Sequence, residues 1–274
     1  MTTTTGGAAS VLRTLEDYLQ TEWPDLKVWL TTTTEQWAVC AVCGPNAQKI
    51  VEQVVDGIDL TPETFPFMTW RDGKAGGVPV RVFRVSFTGE ISYEINIPAT
   101  YGLWLWERLI DAGEPHGLTP YGTEAMHLLR AEKGFIIVGQ ETDGTNTPQD
   151  LAMPWAVAWK KGDFIGKRSL SRPDTSRTDR RQLVGLFTQD PDFVAMEGSQ
   201  IIDSEQEAKA PMPMIGHVTS SYMSPNLKRS IALAVVRGGA GRMGETVYIS
   251  RQNDRPMPAT IVGHDFLAGK ETDQ

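Results

Sequence analysis

The amino-acid pattern changes character near residue 171, and this change constrains the fold more than any other feature of the chain. Residues 171–181 are dominated by Ser, Arg, Asp, Thr and Pro, a composition typical of a connection between packed units. Before this segment, β-type runs alternate with helical runs. After it, short β-type runs are separated by Gly, Pro and Asn, a spacing that indicates a small all-β barrel or sandwich. These runs cover 183–187, 231–236, 246–249 and 259–262.

Composition limits the class of protein. The chain has 274 residues, of which 40% are hydrophobic and 22% charged, the balance of a soluble globular protein. No stretch approaches the roughly 18 consecutive apolar residues that a membrane span needs. A net charge of −8 argues against a nucleic-acid partner, because phosphate binding requires a clustered basic surface. The first residues lack a secretory signal pattern, so we expect a cytoplasmic protein that binds neither membrane nor nucleic acid.

The two cysteines, Cys40 and Cys43, have a C-x-x-C spacing that invites a redox or zinc interpretation. They lie, however, in the continuous apolar run 37–43, where cysteine behaves as a small hydrophobic residue in a buried strand. No second Cys or His pair follows at ligand spacing. We therefore predict no metal site.

In the first part of the chain, Ser10 is placed to cap a helix, and strands are predicted at 28–32 and 37–43. Gly44 and Pro45 then open a helix that extends to about residue 55. The threonine run 2–5 is β-prone, which suggests that the chain begins inside a strand and is truncated at its N-terminus.

A hairpin is predicted from strand 80–85, turn 87–90 and strand 91–97. In the second strand Tyr93 alternates with Glu94, so the carboxylate projects from the face opposite the apolar side chains. Thr123 is placed to cap a later helix, in which Glu132 interrupts an apolar stripe. A carboxylate in that position needs a buried partner, because an unpaired buried charge costs several kcal/mol.

Several motifs resemble those of the glycine-cleavage T-protein family of aminomethyltransferases. The segment 87–95, FTGEISYEI, resembles the family's "TGE…YE" hairpin. Segments 129–134, LRAEKG, and 139–143, GQETD, resemble its R-x-E-x-G helix and the loop that follows. Further similarities occur in the same order at 146–148, 164–167, 215–220, 224–225 and 230–233. Within the superfamily, segments 1–9, 19–24 and 153–159 look most like the alpha subunits of heterotetrameric sarcosine oxidases.

The resemblance implies an α+β fold with mixed or antiparallel sheets and flanking helices, followed by a small C-terminal β-barrel. The corresponding domain organisation is a folate-binding region at 1–170, incomplete at its N-terminus, a linker at 171–182 and the barrel at 183–274. In sarcosine oxidases, flavin on other polypeptide regions oxidatively demethylates sarcosine. The folate module then traps the one-carbon unit as methylenetetrahydrofolate.

Tetrahydrofolate and the other subunits of a hetero-oligomer are thus the implied partners. Flavin and NAD are expected only on other regions or subunits. The family's opening third, which carries the Asp thought to assist at the folate nitrogen, has no counterpart in this sequence. The catalytic residue therefore stays unknown, and we expect the chain alone to be catalytically incomplete.

By resemblance, Glu94 occupies the family position for a bidentate contact with the pterin, whose edge carries two adjacent N–H donors. Alternation alone would make it an exposed strand glutamate. Arg130 is a second candidate, either orienting a carboxylate or contacting folate, although its spacing also fits a solvated helix residue. Tyr93 and Trp155 are candidates for stacking on the pterin, with core packing as the alternative for both.

Three other functions stay open. One is a stand-alone aminomethyltransferase of glycine-cleavage type, which should contain the opening third. Another is a non-enzymatic relative that assists iron–sulfur assembly, whose K-G-C-x-x-G-Q-E signature meets Phe135 here instead of cysteine. The last is a non-catalytic module whose exposed strand edge docks other subunits.

Overall fold

The computed structural model describes residues 1–205, 211–252 and 254–268. They form two compact units. The first unit contains Met1–Ser86 and Glu90–Pro120, and the second contains Phe87–Gly89 and the described residues from Tyr121 onward. Contacts thus divide the chain near Pro120. The functional division at residues 171–182 stays a prediction.

The first unit begins with helix α1, Thr5–Thr21. Thr4 is its N-cap and accepts a hydrogen bond from the Gly7 amide, whereas Ser10 lies inside the helix. The strand expected at 2–5 and the cap expected at Ser10 are therefore wrong, because a capping threonine stabilises a helix start that β-propensity alone does not reveal. Residues 28–32 are also not a strand, since they are mostly exposed and no described strand pairs with them.

A four-stranded antiparallel sheet forms the centre of the first unit, with strands β1 Trp37–Cys43, β2 Thr69–Ala75, β3 Val78–Arg84 and β4 Ser92–Pro98. Their order in the sheet is β1-β4-β3-β2. Two helices accompany the sheet, α2 Ala47–Val54 and α3 Gly102–Gly113. The predicted hairpin is confirmed as the β3–β4 pair. The predicted strand 37–43 is confirmed as β1, but its predicted burial is wrong, because Trp37, Val39 and Ala41 are exposed on the face that α2 and α3 do not cover. No local pattern predicted β2, whose side chains are mainly polar and exposed.

One face of this sheet is covered by α2 and α3. Alternation along each strand directs Val42, Val82 and Ile95 into a shared core, where they pack with Ile50 of α2 and Leu105 of α3. These five side chains are at most 3% exposed. The residues between them point to the opposite face, which carries the candidate site.

The second unit is built around a closed barrel, with strands β5 Arg181–Thr188, β6 Gln200–Ile202, β7 Gly216–Ser224, β8 Arg229–Arg237, β9 Thr246–Ile249 and β10 Met257–Val262. Their order around the barrel is β10-β5-β8-β7-β6-β9. Alternate residues of β5 and β8, such as Val184, Leu186, Ala234 and Val236, fill its interior. The predicted barrel is confirmed, with β6 and β7 in addition to the predicted strands. Helix α4, Thr123–Glu132, has Gly122 at its N-cap position, so the predicted cap at Thr123 is wrong by one residue. A short helix, α5, covers Lys167–Leu170.

Candidate functional site

Glu94 lies at the middle of β4, an inner strand of the first unit's sheet. Its neighbours across the sheet are Ala41 on β1 and Phe83 on β3. The flanking residues Tyr93 and Ile95 are buried in the core, so the Glu94 side chain projects from the opposite face. An inner strand has hydrogen-bonded neighbours on both sides, which holds the Cα position of Glu94 more firmly than an edge strand would.

The Glu94 carboxylate is half-buried, and burial raises the pKa of this group above its ordinary value. Burial is the cause, because within the described residues no side chain or amide hydrogen-bonds or pairs with the carboxylate. A partly desolvated carboxylate without a partner is costly for a folded protein. Such a group is typical of a binding site, in which the ligand supplies the missing donors.

The surface around Glu94 is apolar and aromatic. Trp37 and Val39 of β1 lie on the same face and are 39% and 52% exposed. Phe83 is directly opposite Trp70 of β2, which is 47% exposed. The face therefore offers flat hydrophobic surface next to a single unsatisfied acid.

Arg81 and Asp72 bound this face on its β2–β3 side. The Arg81 guanidinium lies over the Trp70 ring, 4.1 Å from its centroid, and its Nε donates to Asp72 Oδ1 at 2.8 Å. This hydrogen bond and the Arg81 charge lower the pKa of Asp72. The arginine charge is thus already balanced by Asp72, whereas no such contact balances the Glu94 carboxylate among the described residues.

Tyr93 has the opposite environment. It is 1% exposed, its ring packs against Phe65 at a centroid distance of 6.1 Å, and its hydroxyl donates to the Leu60 carbonyl at 3.3 Å. Both faces of the ring are covered by the chain itself. The structure therefore favours the core interpretation of Tyr93 over stacking on a ligand.

Arg130 lies in the second unit, fully buried at the end of α4. Its guanidinium pairs with Glu141 at 2.8 Å and donates to the Phe135 carbonyl at 3.0 Å and to Ser220 Oγ at 2.8 Å. The Ser220 hydroxyl in turn donates to Glu141. Of the two roles predicted for Arg130, this geometry fits orientation of a carboxylate, and that carboxylate is Glu141.

Glu132 was predicted to need a buried partner, and this expectation is confirmed. It is 1% exposed and accepts hydrogen bonds from Ser224 Oγ at 2.5 Å and Asn226 Nδ2 at 2.7 Å. Both donors belong to the β7–β8 hairpin of the barrel, so Glu132 fastens α4 to the barrel within the second unit.

Trp155 lies in a short 3-10 helix, Pro154–Ala156, and is 76% exposed. Its ring is available to a ligand or a partner, but it belongs to the second unit, whereas Glu94 belongs to the first. Sequence reasoning missed Trp37, Phe83 and Trp70 as neighbours of Glu94. The pairing register of β1, β3 and β2 places these side chains around Glu94, and no local motif in the sequence indicates that register.

An antiparallel sheet with helices on one face, followed by a six-stranded barrel, is an aminomethyltransferase-type architecture. The Glu94 carboxylate, which has no partner in the described ranges, lies on the other face of that sheet. Residues 1–161 match the GCVT N-terminal domain and residues 181–267 match the glycine cleavage T-protein C-terminal barrel domain. The chain belongs to the glycine-cleavage T-protein family. Aminomethyltransferase T from Bartonella henselae has the same fold, with a TM-score of 0.77 and 22% identity over 95% of this chain and 66% of that chain.

Within the family, the chain is similar to sarcosine oxidase subunit alpha. It is 50% identical to that of Corynebacterium sp. strain P-1 over 90% of this chain, and 41% identical to that of Rhizobium meliloti over 97%. It spans only about a quarter of these relatives, 26% and 27% of their lengths. The aminomethyltransferase of Caldanaerobacter subterraneus is 32% identical over 88% of this chain and 61% of the relative.

No helix in the described ranges combines the length and hydrophobicity required to cross a membrane.

Proposed function

We propose that this chain is the tetrahydrofolate-binding part of a sarcosine oxidase alpha subunit, with Glu94 as the residue that holds the pterin ring. The observation that carries the proposal is the half-buried Glu94 carboxylate, which lacks a hydrogen-bonding partner among the described residues and projects from an open apolar face. Family membership and the similarity to sarcosine oxidase alpha subunits support the choice of ligand.

The chemistry of the ligand matches that of the site. A pterin carries two adjacent N–H donors on one edge of a flat ring, and an ionised carboxylate accepts both through its two oxygens. The exposed aromatic and aliphatic side chains around Glu94 suit the faces of the ring. Glu94 thus binds and orients the ring. Bound tetrahydrofolate would supply the nitrogens that accept a one-carbon unit, giving methylenetetrahydrofolate.

On this proposal the oxidation of sarcosine takes place elsewhere in the parent protein, where flavin and NAD bind. The other subunits of a hetero-oligomeric enzyme are the partners of that parent protein. Arg130 acts within the fold by fixing Glu141, and Trp155 is an exposed aromatic side chain that a ligand or a subunit can cover.

The test is a titration of the purified chain with tetrahydrofolate, followed by tryptophan fluorescence. Trp37 and Trp70 share the face of Glu94, so binding should change the emission. Each charge-assisted hydrogen bond contributes about 1.5 to 3 kcal/mol, and Glu94→Gln should therefore raise Kd about tenfold or more. Glu107→Gln, at an exposed glutamate of α3, is the matched control and should leave Kd unchanged.

Affinity should also depend on pH. Only the ionised carboxylate accepts two N–H donors, so affinity should be constant at neutral pH and decrease as the pH is lowered through the raised pKa of Glu94. The Glu94→Gln variant should lack this dependence. Equal affinity of wild type and Glu94→Gln, or no binding at all, would contradict the proposal and favour the docking-module alternative.

A further inference from the structure

The second unit contains a cavity of about 490 Å³ on the outer surface of its barrel. Val235 of β8 and His217 of β7 are directly opposite each other in the register and line it, and the loop 139–146 and the segment 174–181 form its walls. The side chains of Val184, Ala234 and Val236 point into the barrel, so those of Val235 and His217 point outward into the cavity.

Four arginines and four carboxylates line this cavity, so its net charge does not identify a ligand. The ion pairs among these groups show which of the charges are already balanced. Arg177 forms ion pairs with Asp179 at 2.8 Å and with Asp174 at 3.2 Å. Arg180 pairs with Asp174 at 2.9 Å and with the buried Asp150 at 2.9 Å.

The remaining two carboxylates are also satisfied. Glu141 pairs with Arg130, as described above. Asp143 accepts hydrogen bonds from the amide and hydroxyl of Thr145 at 2.7 and 2.6 Å, and these contacts lower its pKa. Every acid that lines the cavity therefore has a donor within the second unit.

The other two arginines, Arg181 and Arg237, have no such partner. Both arginines are exposed, and neither guanidinium group forms a hydrogen bond or an ion pair with any residue in the described ranges. The hydrogen bond with Arg177 is the main cause that lowers the pKa of Asp179, and the charge of Arg237 lowers it further. Their Cα atoms are direct partners in the antiparallel pairing of β5 with β8. Like charges placed directly opposite each other across two strands destabilise a sheet, and opposite Cα atoms are only about 4.5–5.5 Å apart.

His217 reports the resulting electrostatic field. Burial lowers the pKa of its imidazole first, and the positive charge of Arg181 lowers it further, whereas the carboxylate of Asp143 raises it. The positive charge of Arg181 therefore acts on a side chain that lines the cavity.

We propose that Arg181 and Arg237 together bind a compact dianion in this cavity, either a phosphate group or two neighbouring carboxylates on one small molecule. Planar guanidinium groups bind the oxygens of either group in pairs, and two of them on adjacent strands can share one such anion. A bound dianion would remove the repulsion between the two arginines. The inference does not depend on Glu94, which belongs to the other unit and plays no part in the test.

The test is isothermal titration calorimetry of the full chain with pyrophosphate and with citrate, at one fixed ionic strength set with chloride. We expect binding of at least one of them, and the comparison shows whether the site takes phosphate or carboxylates. Arg181→Gln and Arg237→Gln should each raise Kd about tenfold or more, because each removes charge-assisted hydrogen bonds. Arg13→Gln, which removes the same charge from an exposed position on α1, should leave Kd unchanged.

A second measurement keeps the proposal testable if a variant does not fold. In the wild type, the NMR titration of the His217 ring, assigned with His217→Gln, should shift to higher pKa when the anion is bound. Arg181 and Asp143 are the charged groups that act on this ring, and a dianion bound to the arginines would offset the effect of Arg181. Failure of both anions to bind, unchanged affinity in the Arg181→Gln/Arg237→Gln double variant, or an unmoved His217 titration would each overturn the proposal.

Discussion

The Arg130–Glu141 pair allows a quantitative test of the statement that Arg130 stabilises the second unit. The two side chains are 0% exposed, and their closest charged atoms are 2.8 Å apart. Glu141 also accepts the Ile137 amide at 2.7 Å, so its carboxylate connects α4 with the loop that follows it. Removing one partner of a buried ion pair leaves the other charge uncompensated, which typically costs about 3–5 kcal/mol. Glu141→Gln should therefore lower the free energy of unfolding by about this amount.

The assay is urea denaturation followed by both tryptophan fluorescence and far-ultraviolet circular dichroism, because agreement of the two probes supports two-state analysis. Asp254→Asn is the matched control in the same unit. It breaks an exposed pair with Arg251, 2.7 Å apart, and should cost at most about 1 kcal/mol.

The double variant Arg130→Met/Glu141→Leu should recover much of the loss, since it leaves neither charge buried alone. A loss in Glu141→Gln no larger than that in the control would refute the reasoning. The reasoning would also be refuted if the double variant were less stable than Glu141→Gln by about a further 3–5 kcal/mol, the cost of a second uncompensated charge.

Two further predictions concern stability. The pKa of Glu94 is raised in the native state above its value in the unfolded state, so folding favours the protonated carboxyl group. The contribution of Glu94 to the free energy of unfolding therefore decreases as the pH rises through the native pKa. Glu94→Gln should thus match the wild type in acid and be more stable than it at neutral pH; equal stability at every pH would contradict this. Gly134 and Gly139 both have positive φ, of 70° and 97°, but a Cβ on Gly134 would lie 2.4 Å from the His264 carbonyl oxygen whereas one on Gly139 meets nothing within 4 Å. Gly139→Ala should lower the free energy of unfolding by about 1 kcal/mol, and Gly134→Ala should lower it by clearly more. Thermal or urea unfolding measures both losses. Equal losses would show that the close contact at residue 134 is relieved at no cost.

Local patterns were sufficient where a structural element is defined by its own residues. The alternation at 91–97 predicted β4 and the side of the sheet on which Glu94 lies, and the spaced β-type runs after residue 182 predicted the barrel. Glu132 was also predictable in part, because a carboxylate within an apolar helical stripe requires a partner whichever residue supplies it.

Patterns failed where a weak local preference met a competing interaction. The threonines at 2–5 favour a strand by propensity, but Thr4 instead caps a helix, since a side-chain hydrogen bond to the Gly7 amide stabilises that conformation. Strand β2 was missed for the opposite reason. Its residues have little β character of their own, and pairing along the full length of β3 makes them a strand.

The sequence by itself determined the family of this protein, the strand that carries Glu94 and the existence of the barrel, because periodicity and motifs are properties of neighbouring residues. Only the tertiary structure decided which residues meet. Strand register placed aromatic side chains around Glu94, set Arg181 opposite Arg237, and left both guanidinium groups without partners in the described part of the chain. Packing in the second unit brings Arg130 into an ion pair with Glu141, which lies eleven residues further along the chain. Such pairings depend on how separate segments align in space, and no local pattern encodes that alignment.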